Sequence, residues 1–244
     1  MFRDAYCSFQ VFQKLNWLYL ILDIVAISGP VALSFDRRVH YVSSWKKVLL
    51  ASLIVGIPFL IHDEIFTSNA FWGFNEIYIS GFKIGSLPIE EILFFFVVPF
   101  SCVFIYACCN YYFRKWNAES INRITQALVL GYILFLLVTD WQGWYTLTIS
   151  IAGLGVLVLW IMNKRVKHGG LAFILSLLPF FGMNGVLTGI ITSEPVVWYS
   201  NAEKIPGRIT TIPFEDVIYA FTLILGVILV FEYLRKNEED RITI

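Results

Sequence analysis

Charged residues are scarce in this chain. Only 15% of its 244 residues are charged, against about 25% in a typical soluble domain, whereas 58% are hydrophobic and the mean hydropathy is +0.71. So few charges cannot cover a surface that faces water on all sides, which excludes an ordinary soluble enzyme and a disordered protein. Lys plus Arg equals Asp plus Glu, at 18 each, so the chain also lacks the basic face that a nucleic-acid partner requires.

Metal-ligating and redox-active residues are few as well. The four cysteines, Cys7, Cys102, Cys108 and Cys109, contain no CxxC motif, which favours small apolar filler over a disulfide framework. The three histidines are too scattered to predict a metal cluster. Neither a GxGxxG nor a DDxxD run occurs, so no metal or cofactor site is evident, although a quinone or flavin held without a motif stays an open alternative.

Long apolar runs dominate the rest of the chain. A membrane-spanning helix needs about 20 mostly apolar residues. The sequence therefore predicts an all-α membrane protein whose seven transmembrane helices cover 17–35, 46–61, 88–110, 125–139, 144–162, 171–191 and 211–234. The interiors of these spans contain no lysine, which excludes a retinal protein because its Schiff base needs one.

The basic residues are concentrated on one predicted side of the membrane. Loops 36–45, 111–124 and 163–170, together with the start of the second span and the C-terminal tail, contain 13 of the 18 Lys and Arg residues. By the positive-inside rule these segments face the cytoplasm. We therefore expect a protein of the cytoplasmic (inner) membrane with its N-terminus outside and its C-terminus inside. The long loops 62–87 and 192–210 then lie outside, and we expect the functional site there.

An internal repeat connects these two long loops. Three motifs of the first half recur in the same order in the second half. Asp63-x-x-x-Thr67 recurs as Asn184-x-x-x-Thr188, and Trp72-Gly73-Phe74-Asn75 recurs as Trp198-Tyr199-Ser200-Asn201. Leu87-Pro88-Ile89-Glu90-Glu91 recurs as Ile212-Pro213-Phe214-Glu215-Asp216. The offsets are 121, 126 and 125 residues. One span between the repeats returns the chain to its starting side. We therefore predict two parallel three-helix repeats, 1–120 and 144–244, joined by a linker helix at 121–143.

Each repeat places two acidic residues at the second and third positions after a proline, where a helix begins. N-terminal capping would explain one such motif, because carboxylates interact favourably with the helix dipole there. Two matched copies at membrane depth instead indicate a function, because carboxylates in a bilayer are costly. Successive helical residues point about 100° apart. One acid of each pair can therefore face a cavity while the other faces the loop, and the sequence leaves open which does so.

Aromatic residues flank both acid pairs. Phe94 and Phe95 follow the first pair, Tyr219 follows the second, and further aromatic rings lie in both loops. An interfacial aromatic belt would explain the loop residues. The functional alternative is a wall of π faces that stabilises a carbocation, and acids beside such a wall suit proton-initiated chemistry on an alkene. A proton-coupled multi-pass transporter is the remaining alternative, although its acids are expected near the midplane rather than at the ends of spans.

Three other charged residues have open roles. Asp23 lies inside the first span and either extends the acid cluster or bonds a neighbouring helix. Arg208 precedes the second acid pair and either pairs with Glu215 or Asp216 or forms an inconsequential ion pair in the loop. Glu232, near the cytoplasmic end, is expected to be solvated.

The repeated motifs resemble the bacterial heterodimeric lycopene cyclases. The first half resembles one subunit, and the second half resembles the other through Asn184-Gly185-Val186-Leu187-Thr188-Gly189, Pro195-Val196-Val197-Trp198-Tyr199, Arg208 and Thr211-Ile212-Pro213-Phe214-Glu215-Asp216 with Tyr219. The chain is thus similar, over nearly its whole length, to a natural fusion of both subunits. His62 stands where the family's first motif usually has Trp, which leaves the role of position 62 open.

The resemblance implies an isomerase that closes β-rings on the ψ ends of lycopene, giving β-carotene through γ-carotene. It implies a lipophilic carotenoid substrate in a lipid bilayer, no nucleic acid, and leaves self-association or association with other carotenoid enzymes open. The implied acid and base candidates are Glu90, Glu91, Glu215 and Asp216, with Asp63 next. The implied substrate-binding residues are Trp72, Phe74, Asn75, Phe94, Phe95, Asn184, Thr188, Trp198, Tyr199, Arg208 and Tyr219.

Overall fold

Helices make up most of the structure. The computed structural model describes residues 16–140 and 142–242, with side chains up to residue 236, so Cys7 lies outside the described residues. The described helices are α1 (Leu18–Leu33), α2 (Trp45–Ser68, preceded by a 3-10 turn at Tyr41–Ser44), α3 (Ile89–Tyr112), α4 (Glu119–Thr139), α5 (Trp144–Met162), α6 (Gly169–Leu187) and α7 (Glu215–Ile242).

Six of these helices, α2 to α7, are long and apolar enough to cross a membrane. The first helix, α1, is apolar but only 16 residues long. A mostly helical protein with several membrane-length helices is therefore present, as the composition predicts. The seventh span stays a prediction.

Two helix ends near the acidic motifs differ from the predicted spans. The second span, 46–61, is short enough to extend into its flanks, and α2 does continue to Ser68, because Asp63 is buried and hydrogen-bonded rather than solvated. The last span was expected to begin at residue 211, but α7 begins at Glu215. The residues before it, Ile212–Pro213, instead form a strand.

Short strands join the helices at the end of the bundle where α2 ends and α3 and α7 begin. The strands are β1 (Trp72–Phe74), β2 (Lys83–Ile84), β3 (Leu87–Pro88), β4 (Val197–Tyr199), β5 (Arg208–Ile209) and β6 (Ile212–Pro213). Each repeat has one antiparallel hairpin, β2–β3 or β5–β6. The third pairing, β1 with β4, joins the two long loops, with Trp72 opposite Tyr199. These strands are the exception to the all-α prediction.

Helix α7 lies at the centre of the bundle. It packs against α2, α3 and α5, and residues on all its sides are buried, including Ile218, Phe221, Ile224 and Leu225. In contrast, α4 leaves Leu128, Leu134 and Val138 exposed, and apolar side chains on such a surface suit contact with lipid. The start of α7, which carries Glu215 and Asp216, is therefore held in the most enclosed part of the protein.

Candidate active site

One cavity brings together three carboxyl groups that are far apart in sequence. Its free volume is about 50 Å³, below the range of about 300–1,000 Å³ typical of small-molecule sites, so a ligand that enters must displace side chains of the lining. Asp63 reaches it from the last turns of α2, Glu91 from the first turn of α3 and Asp216 from the first turn of α7. The lining also contains Tyr19, Trp72, Phe74, Phe94, Tyr145, Phe180, Asn184, Leu187, Val197, Tyr199 and Tyr219.

The two acids of each pair point in different directions. Glu91 and Asp216 line the cavity. Glu90 instead accepts a hydrogen bond from the backbone N–H of Ser80 at 2.7 Å, and Glu215 accepts one from the backbone N–H of Ile205, also at 2.7 Å. In both repeats, therefore, the first acid anchors the loop ten residues before it, and the second faces the cavity.

Three donors surround Asp216. The hydroxyl groups of Tyr145 and Tyr199 donate to its carboxyl oxygens at 2.6 and 3.1 Å. The side-chain amide of Asn184 donates at 2.8 Å. An ionised carboxylate has only acceptor sites, so this arrangement suits a negatively charged Asp216.

Glu91 and Asp63 form a pair of their own. Tyr19 donates its hydroxyl to Glu91 at 2.7 Å, and Tyr219 donates to both oxygens of Asp63 at 3.1 and 3.0 Å. The two carboxyl groups are also neighbours, close enough to interact through their side chains. Two ionised carboxylates have no donor to share, so a hydrogen bond between them requires a proton on one of them.

His62 supports Asp63 from the neighbouring position on α2. Its Nδ1 atom lies 3.2 Å from the Asp63 carboxyl, and its Nε2 atom lies 3.1 Å from the Thr148 hydroxyl on α5. The imidazole also stacks on Phe66, with ring centroids 3.9 Å apart. The histidine thus bridges α2 and α5 beside the acid pair.

Two tyrosines that contact the acids were not among the predicted site residues. Tyr19 and Tyr145 bond to Glu91 and Asp216 respectively. They are 126 residues apart, the same offset that separates Trp72 from Trp198. Extending the repeat comparison into the first span of each half would therefore have identified them. Phe180, also missed, lies one helical turn before Asn184 on α6.

Aromatic rings form much of the cavity wall. Trp72 lies 5.1 Å from Tyr145 and 5.9 Å from Tyr199, both with edge-to-face geometry, and the two tyrosine rings stack at 6.1 Å. Phe74 and Phe94 complete the predicted aromatic lining. These rings present π faces and edges beside the three carboxyl groups, which is the arrangement that could stabilise a cation.

Phe95, Asn75 and Thr188, three predicted substrate-binding residues, are not among the residues that line this cavity. The Phe95 ring is buried against Phe59 at 5.8 Å. Asn75 accepts a hydrogen bond from the backbone of Ile77, and Thr188 shares one with Thr211 at 2.8 Å. In the structure Phe95 therefore packs α3 against α2, whereas Asn75 and Thr188 bond within or beside the loops.

Trp198 and Arg208 also lie outside the lining. Trp198 is 40% exposed. Arg208 donates to the backbone carbonyl of Thr211 at 2.6 Å and lies over the Tyr199 ring, 5.8 Å from its centroid. Among the described residues it forms no ion pair with Glu215 or Asp216, so the pairing considered from sequence is wrong. Both of those acids already bond nearer donors.

Two titratable groups in the loop 192–210 are perturbed by their surroundings. Burial raises the pKa of the Tyr199 hydroxyl well above its ordinary value, and the nearby Asp216 carboxyl adds to this effect. The residue as a whole is half-buried, and its hydroxyl is hydrogen-bonded to Asp216. Burial also lowers the pKa of Lys204, with Arg208 contributing, and its ammonium donates to the backbone carbonyl of Ile205 at 2.9 Å.

Asp23 and Glu232, the other acids within helices, are both buried. Within the described residues neither carboxyl oxygen of Asp23 has a hydrogen-bond partner, so the expected bond to a neighbouring helix is absent. Glu232 was expected to be solvated, and that expectation is wrong. It accepts a hydrogen bond from Tyr106 at 2.9 Å and pairs with Arg235 at 2.9 Å, which compensates its burial. No cluster of three or more His, Cys, Asp or Glu side chains in the described ranges has a geometry that could hold a metal ion.

Membrane-length helices around an acid-lined, aromatic cavity define the class: a multi-pass membrane protein with a buried carboxyl site. The family model described as lycopene cyclase matches residues 16–109 and 142–234, one segment in each half. The chain therefore belongs to the lycopene cyclase family, which gives it a role in carotenoid ring formation, a carotenoid substrate and a membrane environment. Comparison with curated proteins and with solved structures gives no significant match.

Proposed function

We propose that this protein is a lycopene β-cyclase that converts the ψ ends of lycopene to β-rings by proton-initiated isomerisation. The observation that carries the proposal is the meeting of Asp63, Glu91 and Asp216 in one aromatic cavity. The reaction needs a proton donor and a proton acceptor, both held away from water. The site offers groups suited to each role.

The carboxyl pair Asp63–Glu91 is the proton donor. A hydrogen bond between these neighbouring carboxyl groups requires one proton, and we assign that proton as the one given to an alkene placed in the cavity. Transfer of this proton to the terminal double bond leaves a cation on the adjoining carbon. The electrons of the next suitably placed double bond then form the ring bond, and the positive charge moves to a ring carbon.

Asp216 is the proton acceptor. Its three hydrogen-bond donors suit the ionised form, and it lies across the same cavity as the acid pair. Removal of a ring proton by Asp216 restores a double bond and gives the β-ring. One proton enters and one leaves for each ring, so the step is an isomerisation without net redox change.

The aromatic wall protects the intermediate cation. Trp72, Tyr145 and Tyr199 surround the cavity with rings, and cation–π contacts of this kind contribute roughly 0.5–2 kcal/mol each. A water molecule beside the cation would trap it as an alcohol, so exclusion of water is part of the catalysis. The apolar lining and the paired strands β1 and β4 serve this purpose.

Glu90 and Glu215 serve as positioning residues in this scheme. Each accepts a backbone N–H of the preceding loop, which fixes the start of its helix. Their neighbours Glu91 and Asp216 are thereby held at the cavity. Lys204 and Arg208 support the second loop through backbone carbonyls.

The proposed architecture follows the sequence repeat. We assign residues 1–120 and 144–244 to two parallel three-helix repeats, with 121–143 as linker, and count α1 as a seventh span. The order helix, helix, three strands, helix on each side of α4 supports this assignment. The N-terminus then lies outside and the C-terminus in the cytoplasm.

Expression in a bacterium that accumulates lycopene tests the function. We expect lycopene to be replaced by β-carotene, with γ-carotene as the intermediate, when the pigments are separated by chromatography. Unchanged lycopene, with the protein present in the membrane fraction, would contradict the proposal. That result would instead favour the alternative of a proton-coupled transporter.

A further inference from the structure

A second, apolar cavity adjoins the acid cavity. It is lined by residues of three helices, among them Ala26 on α1, Val98 and Cys102 on α3, and Pro179 and Met183 on α6. Phe94, Phe180 and Asn184 line both cavities. The two spaces are therefore neighbours that meet at the Asn184 amide, which bonds to Asp216. We refer to the second space as the polyene groove.

The groove is apolar along its length. From Phe94 to Cys102 it follows α3 for about 12 Å, at 1.5 Å per residue. The Ser101 hydroxyl on this wall is already satisfied, because it donates to the backbone carbonyls of Ala26 and Val97 at 2.9 Å. At its other side the groove reaches Pro179, which is exposed on the outer face of α6. The free volume of the groove is about 60 Å³, so a hydrocarbon chain that enters must displace side chains of the lining, but it leaves no buried polar group unpaired.

The matching space in the other half of the protein is filled. By the repeat offsets of 125 and 121, Tyr219 corresponds to Phe94 and Phe59 corresponds to Phe180. The Phe59 ring packs edge-to-face on Tyr219 with centroids 4.9 Å apart. Gly226 corresponds to Ser101, and Val55 occupies the space beside it, 3.3 Å from where a Cβ atom would lie. The two halves thus differ within the described residues, where the groove lies on the α1–α3–α6 side.

Resting on the proposed function, we propose that the polyene groove holds the conjugated chain of the carotenoid while one ψ end occupies the acid cavity. A polyene is stiff, and an extended carotenoid is comparable in length with the hydrocarbon core of about 30 Å. Its second end therefore cannot reach the same carboxyl groups at the same time. The protein closes one ring per binding event, and the monocyclic product must leave and return with its other end first.

Blocking the groove tests this assignment. Met183→Trp places a large ring in the groove, whereas Leu178→Trp places the same ring on the exposed surface of the same helix, where Leu178 is 81% exposed. We expect Met183→Trp to reduce lycopene conversion about tenfold or more, with Leu178→Trp close to wild type. Wild-type conversion by Met183→Trp, at equal protein levels in the membrane, would overturn the groove assignment.

A labelling experiment keeps the assignment testable if Met183→Trp does not accumulate. Met183→Cys and Leu178→Cys are each combined with Glu91→Gln, so that bound lycopene is not consumed. Membranes from cells with and without lycopene are treated with a lipophilic maleimide, and modification is measured at each site by mass spectrometry. We expect lycopene to slow modification at position 183 several-fold and to leave position 178 unchanged. Equal modification with and without lycopene at both positions would overturn the assignment.

The order of products tests the one-ring consequence. With lycopene in excess, monocyclic carotenoid should accumulate before dicyclic carotenoid appears. Dicyclic product formed from the start without free monocyclic carotenoid would overturn this part of the inference. An incorrect groove assignment and an incorrect proposed function give different results, because protection of position 183 from maleimide by lycopene does not depend on ring formation. Cyclisation without protection contradicts the groove, whereas protection without cyclisation by the wild-type protein contradicts the function.

Discussion

Neighbouring residues have different tasks at the two acidic motifs. Glu90 and Glu215 accept backbone N–H groups of the loops, whereas Glu91 and Asp216 face the cavity. The sequence predicted that such a division was available, because adjacent helical residues point about 100° apart. The sequence could not decide which acid of each pair faces the cavity, because that depends on the path of loops whose conformation is set by tertiary contacts.

Tyr199 gives a prediction for pH dependence. Its pKa is raised above the ordinary value of about 10 by burial and by the Asp216 carboxyl. A raised tyrosine pKa keeps the hydroxyl protonated, and hence a donor to Asp216, at every pH below about 10. We expect that deprotonation of Tyr199 causes no fall in the cyclisation rate of membrane preparations between about pH 8 and 10.

Tyr199→Phe provides the comparison. The variant loses one donor to Asp216, and a hydrogen bond to a charged group contributes about 1.5–3 kcal/mol, so we expect a rate lower by a factor of about 10 to 150. Its pH profile should run parallel to that of the wild type. A wild-type rate that falls to the level of the variant above about pH 8 would show that Tyr199 does titrate in this range.

The β1–β4 pair is the element that joins the two repeats at the site. Trp72 lies opposite Tyr199, and both rings line the cavity. The sequence identified both residues through the repeated Trp motif but did not predict the strands, because three-residue strands have no reliable alternation pattern. Their pairing depends on a contact between residues 125 positions apart, as at Gly73 and Trp198. Local patterns cannot supply such a contact.

Gly73 tests the importance of this pairing. A Cβ atom at position 73 would lie 2.5 Å from the Trp198 indole. We expect Gly73→Ala to destabilise the protein by about 1–3 kcal/mol, as overpacking does elsewhere, and to lower its thermal unfolding temperature in detergent. Adding Trp198→Ala should recover most of the loss, because it removes the clash.

A helical glycine serves as the control. Gly131, on α4, has no atom within 4 Å of the place where its Cβ would be, so Gly131→Ala should leave stability unchanged or slightly improved. Equal stability of Gly73→Ala and the wild type would show that the loops adapt and that the strand pair is not closely packed.

The positions of the helices were easier to predict from the sequence than the exact place where a helix ends beside the site. Long apolar runs and proline-acid motifs were sufficient to locate α2 to α7, with each end within eight residues of its predicted place. The predicted span stopped before the end of α2 because His62, Asp63 and Glu64 together are typical of a solvated loop. Burial of Asp63 against Tyr219, 156 positions away, reverses that interpretation, and sequence alone gives no means of seeing it.

The zero net charge of the whole molecule is a balance between two unlike sides. With the predicted spans, the cytoplasmic side has 13 basic and 6 acidic residues, whereas the outer side has 5 basic and 11 acidic residues. Asp23 within the first span is the remaining acid. The basic excess orients the protein, and the acidic side includes the carboxyl groups proposed to carry out the reaction.

Site-directed labelling tests this orientation. Phe82 and Trp116 are both exposed and lie in predicted outer and inner loops respectively. We expect Phe82→Cys to react with a membrane-impermeant maleimide in intact cells, and Trp116→Cys to react only after the cells are made permeable. Reaction at Trp116→Cys in intact cells, with Phe82→Cys protected, would mean that the topology is inverted.

The most direct test of the central claim compares Glu91→Gln with Glu90→Gln in cells that accumulate lycopene. Glutamine at position 90 can still accept the Ser80 N–H, so this variant should retain ring formation within a few-fold of wild type. Glutamine at position 91 removes the carboxyl group that neighbours Asp63, and loss of a general acid lowers rates by about 10²–10⁴-fold. The account predicts β-carotene with Glu90→Gln and unchanged lycopene with Glu91→Gln, at equal protein levels in the membrane. Full ring formation by Glu91→Gln would contradict it.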